Sequence, residues 1–288
     1  MRILITGGSG YIGTYLAQRL METHEVVLFD VVESGAGLTC VQGDLCNYGE
    51  VRDACSGVDA MIHAGAIPYD SGEPRMIMEV NVMGTFNVLE AAVEHGVGRV
   101  VFASSMCATG IGPFSREAVI PDYFPVDERQ RCHPEDTYGL SKLLGEELCE
   151  AYSRKHGLTT ICLRLGMVYD PNREDSVRRL TRIMADADYG SLYHWGCVDV
   201  RDMARAFELA LSADDAAQGV YNLCGPEVAS TEPSLELVGR YFAGVPLREP
   251  QLYFENPYLG LIDIGKACRQ LGFRPRYPVR QSWSSLQR

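Results

Sequence analysis

Apolar and polar positions follow two alternating rhythms along the first 165 residues. Short apolar runs at Ile3–Thr6, Glu25–Asp30, Thr39–Gln42, Ala60–His63, Arg99–Ser104 and Thr159–Leu165 predict strands. Between them lie stretches with apolar residues at helical spacing, which predict helices over Tyr11–Met21, Gly49–Cys55, Glu73–His95 and Tyr138–His156. Strands apolar throughout are buried on both faces, and strands separated by helices pair in parallel. Right-handed crossovers then favour an α/β fold with a doubly wound parallel sheet. The rhythm weakens beyond residue 165. Ser176–Ala187, Val200–Leu211 and Ser234–Phe242 read as helices, Val220–Cys224 as a strand, and Pro and Gly become frequent after 225. That pattern predicts a smaller, discontinuous C-terminal lobe with no core of its own.

The first strand runs into Thr6-Gly7-Gly8-Ser9-Gly10-Tyr11-Ile12-Gly13, a G-x-x-G-x-x-G loop that opens the first helix. Glycines there allow a tight turn and let a pyrophosphate approach the backbone. The helix start adds unpaired N–H groups and a positive dipole end. Gly7, Gly10, Tyr11, Ile12 and Gly13 are therefore candidate dinucleotide-binding residues. Asp30 ends the second strand, where a carboxylate accepts hydrogen bonds from the adenosine ribose diol and repels a 2′-phosphate. Val31 and Val32 follow, with no Arg or Lys to receive such a phosphate, so the expected cofactor is NAD rather than NADP. Gly43-Asp44-Leu45 after the third strand puts Asp44 and the Leu45 backbone at the adenine edge; a plain helix cap is the alternative for Asp44.

Tyr138 and Lys142 stand one helical turn apart and share a face. A free phenol titrates near ~10, and a neighbouring ammonium favours the phenolate; a drop of roughly three units supplies a base at neutral pH. Tyr138 is the candidate base that removes a hydroxyl proton as hydride leaves the carbon. Ser104 and Ser105 stand at the carboxyl end of the fifth strand, the edge where ligands bind in open α/β sheets. A hydroxyl there can donate to a reacting oxygen.

These segments, in this order, resemble the extended short-chain dehydrogenases/reductases, in the NAD-dependent epimerase/dehydratase family. The resemblance rests on TGGSGYIG, Asp30, GDL at 43–45, His63-Ala64-Gly65-Ala66, Asn81-Val82-Met83-Gly84-Thr85, FASS at 102–105, YGLSK at 138–142 and Arg164-Leu165-Gly166-Met167-Val168-Tyr169. A fainter likeness continues through 198–202 and 263–272. The resemblance implies an NAD-binding Rossmann domain with the catalytic residues over 1–165. It implies a mainly substrate-binding lobe over 166–288, with some segments returning to the sheet. It makes Tyr138 the catalytic base, has Lys142 also hold the nicotinamide ribose, and prefers Ser105 to Ser104 as the hydroxyl donor. Ala64, Gly65 and Ala66 then line the cofactor's pyrophosphate and ribose side. Asn81 lies beneath the site, either ordering a proton relay or serving as a structural amide. The helices around Glu73–His95 and Tyr138–His156 imply a homodimer.

The chain departs from the nucleotide-sugar members of that family. Only 23 residues separate Pro171 from Trp195, and Trp195 falls where those enzymes present an arginine to a pyrophosphate. One neutral indole N–H replaces charge-assisted donors poorly. The shortened form resembles uronate and other free-sugar dehydrogenases, which implies an unactivated sugar. Trp195 then either stacks on a pyranose face or belongs to the core. Uronate-oxidising members place an arginine just before that tryptophan; 189–194 contains none, which counts against a uronate. Arg173, Arg178, Arg179 and Arg182 read by default as solvated helix charges. Gly110–Asp136 reads as a lid or binding loop. Met106, Cys107 and Thr109 precede it and are candidate substrate contacts.

Composition narrows the classes. The 288 residues are 46% hydrophobic and 22% charged, as in ordinary globular proteins. A net charge of -12 argues against a nucleic-acid partner. No apolar run reaches the roughly 18–20 residues of a membrane span, and the glycine loop leaves no room for a secretory leader, so a cytoplasmic protein without a membrane partner is expected. The ten cysteines form no C-x-x-C pair and the six histidines no H-x-x-x-H pattern, so reduced thiols and no metal are expected. The leading reading is an NAD-dependent oxidoreductase that takes hydride from a secondary alcohol or hemiacetal carbon of a sugar or sugar-derived substrate. One alternative is a nucleotide-sugar 4-epimerase, like UDP-glucose 4-epimerase, that retains its NAD. The other is a non-catalytic NAD-sensing regulatory protein.

Overall fold

The computed structural model describes residues 1–33, 38–68, 73–113 and 119–286. Its strands are β1 (Arg2–Thr6), β2 (Glu25–Asp30), β3 (Cys40–Gln42), β4 (Ala60–His63), β5 (Arg99–Ser105), β6 (Thr159–Leu165), β7 (Val168–Tyr169), β8 (Val198–Asp199) and β9 (Gly219–Leu223). Seven of them form one parallel sheet in the order β3-β2-β1-β4-β5-β6-β9, while β7 and β8 pair separately. The helices that matter below are α1 (Tyr11–Leu20), α2 (Tyr48–Ala54), α3 (Pro74–Met78), α4 (Gly84–Glu94), α5 (Thr137–His156), α6 (Glu174–Ala185), α7 (Leu192–Trp195), α8 (Val200–Ser212) and α9 (Ser234–Tyr241).

Side chains alternate across a strand, so each sheet face collects every second residue. Ile3 and Ile5 of β1, with Val101 and Ala103 of β5, pack with Leu16 and Leu20 of α1 and Met203 and Phe207 of α8. Leu4, Val100 and Phe102 point the other way and pack with Val51 of α2, Val88 of α4 and Cys149 and Tyr152 of α5. Burying one such aliphatic or aromatic side chain stabilises the fold by about 1.5–3 kcal/mol. At the carboxyl ends of β1, β4 and β5 the buried side chains turn polar, with Thr6, His63 and Ser105.

The strand order reverses at β1 and β4, and ligands in such sheets bind outside the carboxyl ends at that reversal. The glycine loop leaves β1 at that point, and Ala64–Ala66 leave β4 beside it.

Three expectations change. The C-terminal lobe has its own apolar core, in which Met167, Leu180, Ile183, Trp195, Leu237 and Phe242 are buried together. These residues are distant in sequence and sit on short elements, so no continuous period announces them. Residues 73–95 do not form a plain α-helix. α3 passes through a π-helical turn (Glu79–Met83) into α4. This stretch, Pro74–Glu94, is also long and apolar enough to cross a membrane by length and composition alone, which corrects the expectation about apolar runs; half of the window is buried inside the protein. β7, β8 and α7 are two to four residues long, too short for any period to show.

Candidate active site

A cavity of about 800 Å³ opens at the strand-order reversal, within the usual size range of cofactor clefts. Its floor is the glycine loop: Gly7, Gly10, Tyr11, Ile12 and Gly13 all line it. Gly7 has φ +68°, and a Cβ on Gly13 would lie 2.2 Å from the Gly7 carbonyl oxygen. Only glycine lets α1 start this close to the loop, and the space above is a backbone-lined cradle suited to a pyrophosphate. Asp30, Asp44 and Leu45 form one end of the cavity, and Ala64, Gly65 and Ala66 one side. The Ser9 and Val32 N–H groups donate to the two Asp30 oxygens at 3.0 and 3.3 Å, which fixes the carboxylate at the cavity's rim. Val31 and Val32 beside it are exposed and carry no charge.

The other end holds Ser104, Ser105, Tyr138 and Lys142. Asp136 caps α5 by accepting from the Gly139 N–H, so the helix begins just before Tyr138. Gly145, one turn beyond Lys142 on the same helix, lets α5 press onto β5; a Cβ there would lie 2.5 Å from the Phe102 ring. This approach buries Lys142, whose Nζ donates to the Ala103 carbonyl at 2.9 Å and lies 5.6 Å from the centre of the Tyr138 ring. Burial lowers the ammonium to about 8, so it still carries its charge beside the phenol at neutral pH.

The two serines are not equivalent. The Ser104 hydroxyl donates to Glu146. Ser105 instead accepts from the Cys107 N–H at 3.1 Å, and its own hydrogen has no acceptor among the described residues. Glu146 also receives both Nε and Nη2 of Arg164, at 2.9 and 2.7 Å, in a pair almost without solvent contact. Sequence reasoning did not find this Glu146–Arg164 pair, because nothing local connects α5 to β6.

Behind the cavity, hydrogen bonds link the glycine-loop side to α5. The Gly65 N–H donates to Thr6 Oγ1 at 3.2 Å, and the Thr6 hydroxyl donates to His63 Nδ1 at 2.6 Å. The Thr85 hydroxyl donates to the Asn81 carbonyl and accepts from His63 Nε2 at 2.9 Å. The direction of the chain places the single imidazole proton on Nε2. Burial, aided by Lys142, lowers His63 to about 3 and keeps it neutral. The unfolded chain takes up a proton near pH ~6.5 whereas the fold does not, so this stability is complete above that pH and drains as pH falls toward 3. In urea denaturation across pH 6 to 4, His63→Gln is expected to remove about one proton's worth of slope, ~1.4 kcal/mol per pH unit. An unchanged slope would show that His63 titrates normally.

Several expected contacts lie elsewhere. Asn81 is buried away from the cavity wall: its amide holds the Ile67 N–H and C=O and donates to Ser141 Oγ at 2.9 Å. It shapes the backbone beside the cavity instead of lining it. Met106 and Cys107 are buried in the turn after β5, and burial pushes the Cys107 thiol up to about 12. Trp195 is not a stacking platform. It is 2% exposed and packs against Tyr241 and Phe242 in the lobe core, because the short α7 turns its indole inward. Part of the anticipated lid, 114–118, lies outside the described residues. The rest is anchored: Phe124 and Val126 are fully buried, and their N–H groups donate to Pro246 and Leu261. By contrast Arg173 and Arg179, read as solvated charges, line the cavity together with Ser176 and Tyr193.

Comparison with known proteins agrees with this geometry. The model of the NAD dependent epimerase/dehydratase family matches residues 3–224. A protein from Pseudomonas putida named uronate dehydrogenase is 29% identical over 271 residues, covering 84% of this chain and 95% of its own. A solved short-chain dehydrogenase/reductase superfamily protein from Agrobacterium tumefaciens, with bound NAD, superimposes with a TM-score of 0.75 at 27% identity, covering 99% of this chain and 95% of its own. A UDP-glucose 4-epimerase from Thermotoga maritima shares the fold, with a TM-score of 0.72 at 21% identity over 100% of this chain and 99% of its own. With three quarters of its length inside the matching model and a glycine cradle shaped for a dinucleotide, this chain belongs to the NAD-dependent epimerase/dehydratase family.

Proposed function

We propose that the protein is an NAD-dependent dehydrogenase of free, unactivated sugars, oxidising a secondary alcohol or hemiacetal carbon. The observation that carries this reading is the meeting of Ser105, Tyr138 and Lys142 in one cavity with the glycine cradle and Asp30. NAD, when bound, supplies the hydride acceptor. Gly7, Gly10, Tyr11, Ile12 and Gly13 receive its pyrophosphate, Asp30 its adenosine ribose, and Asp44 and Leu45 its adenine edge. Tyr138 removes the hydroxyl proton of the substrate, Lys142 holds the resulting phenolate, and Ser105 donates to the same substrate oxygen. Asn81 and His63 position these groups from behind. In this reading residues 1–165 carry the cofactor and the chemistry, and 166–288 close over the substrate, with α8 and β9 returning to the sheet.

The relative named uronate dehydrogenase, matched over nearly its whole length, favours a free sugar over a nucleotide sugar. Incubation with NAD and separate panels of free sugars, sugar acids and nucleotide sugars tests this. Net NADH accumulation with a free sugar or sugar acid supports it. Epimerised nucleotide sugar without NADH would establish the retained-NAD epimerase instead.

The protein acts, in the same proposal, as a cytoplasmic homodimer without nucleic-acid or membrane partners. Its ten unpaired cysteines suit a reducing compartment. Met76, Met83 and Phe86 on the α3–α4 stretch and Leu140 on α5 are exposed apolar side chains on the two elements expected to meet their copies. The double substitution Met83→Glu with Phe86→Glu is expected to halve the mass seen by sedimentation. A wild type that sediments as a monomer would remove the dimer from this reading.

A further inference from the structure

One cation in the cavity lining has no counter-ion among the described residues. Four arginines stand on or next to α6, and three are engaged. Arg173 pairs with Asp175 at 3.0 Å and covers the Tyr11 ring, Arg178 pairs with Glu174 at 3.3 Å, and Arg182 lies 3.9 Å from the centre of the Tyr189 ring. Arg179 has no carboxylate partner among the described residues, in a chain with 38 acidic against 26 basic side chains. It lines the same cavity as Tyr138, Ser105 and Lys142, is itself exposed to solvent, and has Tyr193 and Ser176 as fellow wall residues. His194 next to Tyr193 adds no second positive charge: burial, with Arg179 adding to it, lowers it to about 4, and it is neutral at physiological pH.

We propose that Arg179 is the anchor for an anionic oxygen group carried by the substrate's sugar itself, a carboxylate or a phosphate. This inference deepens the dehydrogenase reading and rests on it. A guanidinium binds such a group with two parallel charge-assisted hydrogen bonds, and this fixes orientation as well as adding affinity. Such an anchor at the cavity mouth would leave the carbinol carbon to face Tyr138 and Ser105. The position explains how the site can take a charged sugar although no arginine precedes Trp195: the cation comes from α6 instead. It also separates this site from one for a neutral sugar, which would leave the guanidinium to water.

The test compares kcat/KM, at saturating NAD, for a hexuronic acid, a hexose 6-phosphate, the matching neutral hexose and a nucleotide sugar, in wild type, Arg179→Ala and Arg179→Lys. The wild type is expected to prefer one anionic sugar over the neutral hexose by about 10- to 100-fold, the value of one charge-assisted contact. Whichever of the acid and the phosphate wins identifies the group. That ratio collapses toward one in Arg179→Ala, chiefly through KM, returns in part in Arg179→Lys, and shrinks with added salt. A wild-type ratio near one, a ratio unchanged by Arg179→Ala, or turnover of the nucleotide sugar alone would overturn the inference. Neutral-sugar oxidation at the same ratio in all three proteins would leave the dehydrogenase reading standing. NADH from no arm would take that reading down as well.

Discussion

Tyr138→Phe is expected to lower kcat by about 10²- to 10⁴-fold, the usual contribution of a positioned general base, while changing the affinity for NAD far less. Tyr138 stands at the start of α5 with the Lys142 ammonium 5.6 Å from its ring, and both line the cavity that holds the glycine cradle. Phenylalanine keeps the ring and its packing and removes only the oxygen proposed to accept the proton. The serine hydroxyls at this end of the cavity are not replacements. Ser104 is committed to Glu146, and Ser105 is a neutral hydroxyl with no carboxylate or imidazole partner among the described residues. Steady-state rates with NADH as the readout, alongside NAD binding by fluorescence, separate the two effects. Full activity in the variant would remove Tyr138 from the chemistry.

Glu146→Ala is expected to be the most destabilising single change at the site, costing about 3–5 kcal/mol. Glu146 and Arg164 are each about 95% buried, with 4% and 5% of their side chains exposed, and the carboxylate receives two guanidinium bonds and the Ser104 hydroxyl. Arg164 Nη1 has no partner among the described residues, and beyond Glu146 the guanidinium reaches only a weak acceptor there, Cys132 Sγ at 3.3 Å. Removing the carboxylate strands a buried positive charge between α5 and β6. Urea denaturation measures the loss, and Glu146→Leu combined with Arg164→Met is expected to recover most of it, because the stranded charge goes as well. If the single variant loses under 1 kcal/mol, water reaches this pair and it is not a true buried ion pair.

The parts readable from sequence were those in which function and local structure use neighbouring residues. The glycine loop, Asp30 and the Tyr138–Lys142 turn each need residues within one strand, loop or helix, so their spacing carries the information. Regular burial likewise announced β1, β2, β4, β5 and β6. The rest depends on contacts between distant segments. Glu146 meets Arg164 only because α5 and β6 lie side by side, and His63 joins Thr6 to Thr85 across three elements. Trp195 was ambiguous because a large aromatic serves a core or a sugar face equally well, and only the direction of α7 decides. The arginines around α6 looked alike in sequence. Their separate roles appear only when Arg173 and Arg179 are found on the cavity side and Arg178 is not.

The central claim is that Tyr138 and Ser105 act on one substrate oxygen. A crystal structure of the protein with NAD and an unreactive sugar analogue tests it most directly. The account predicts the Tyr138 and Ser105 hydroxyls both within hydrogen-bond distance of the same analogue hydroxyl, with the Lys142 ammonium behind the phenol. An analogue hydroxyl held by Ser104 and Glu146, with the Tyr138 oxygen turned away from it, would contradict the account.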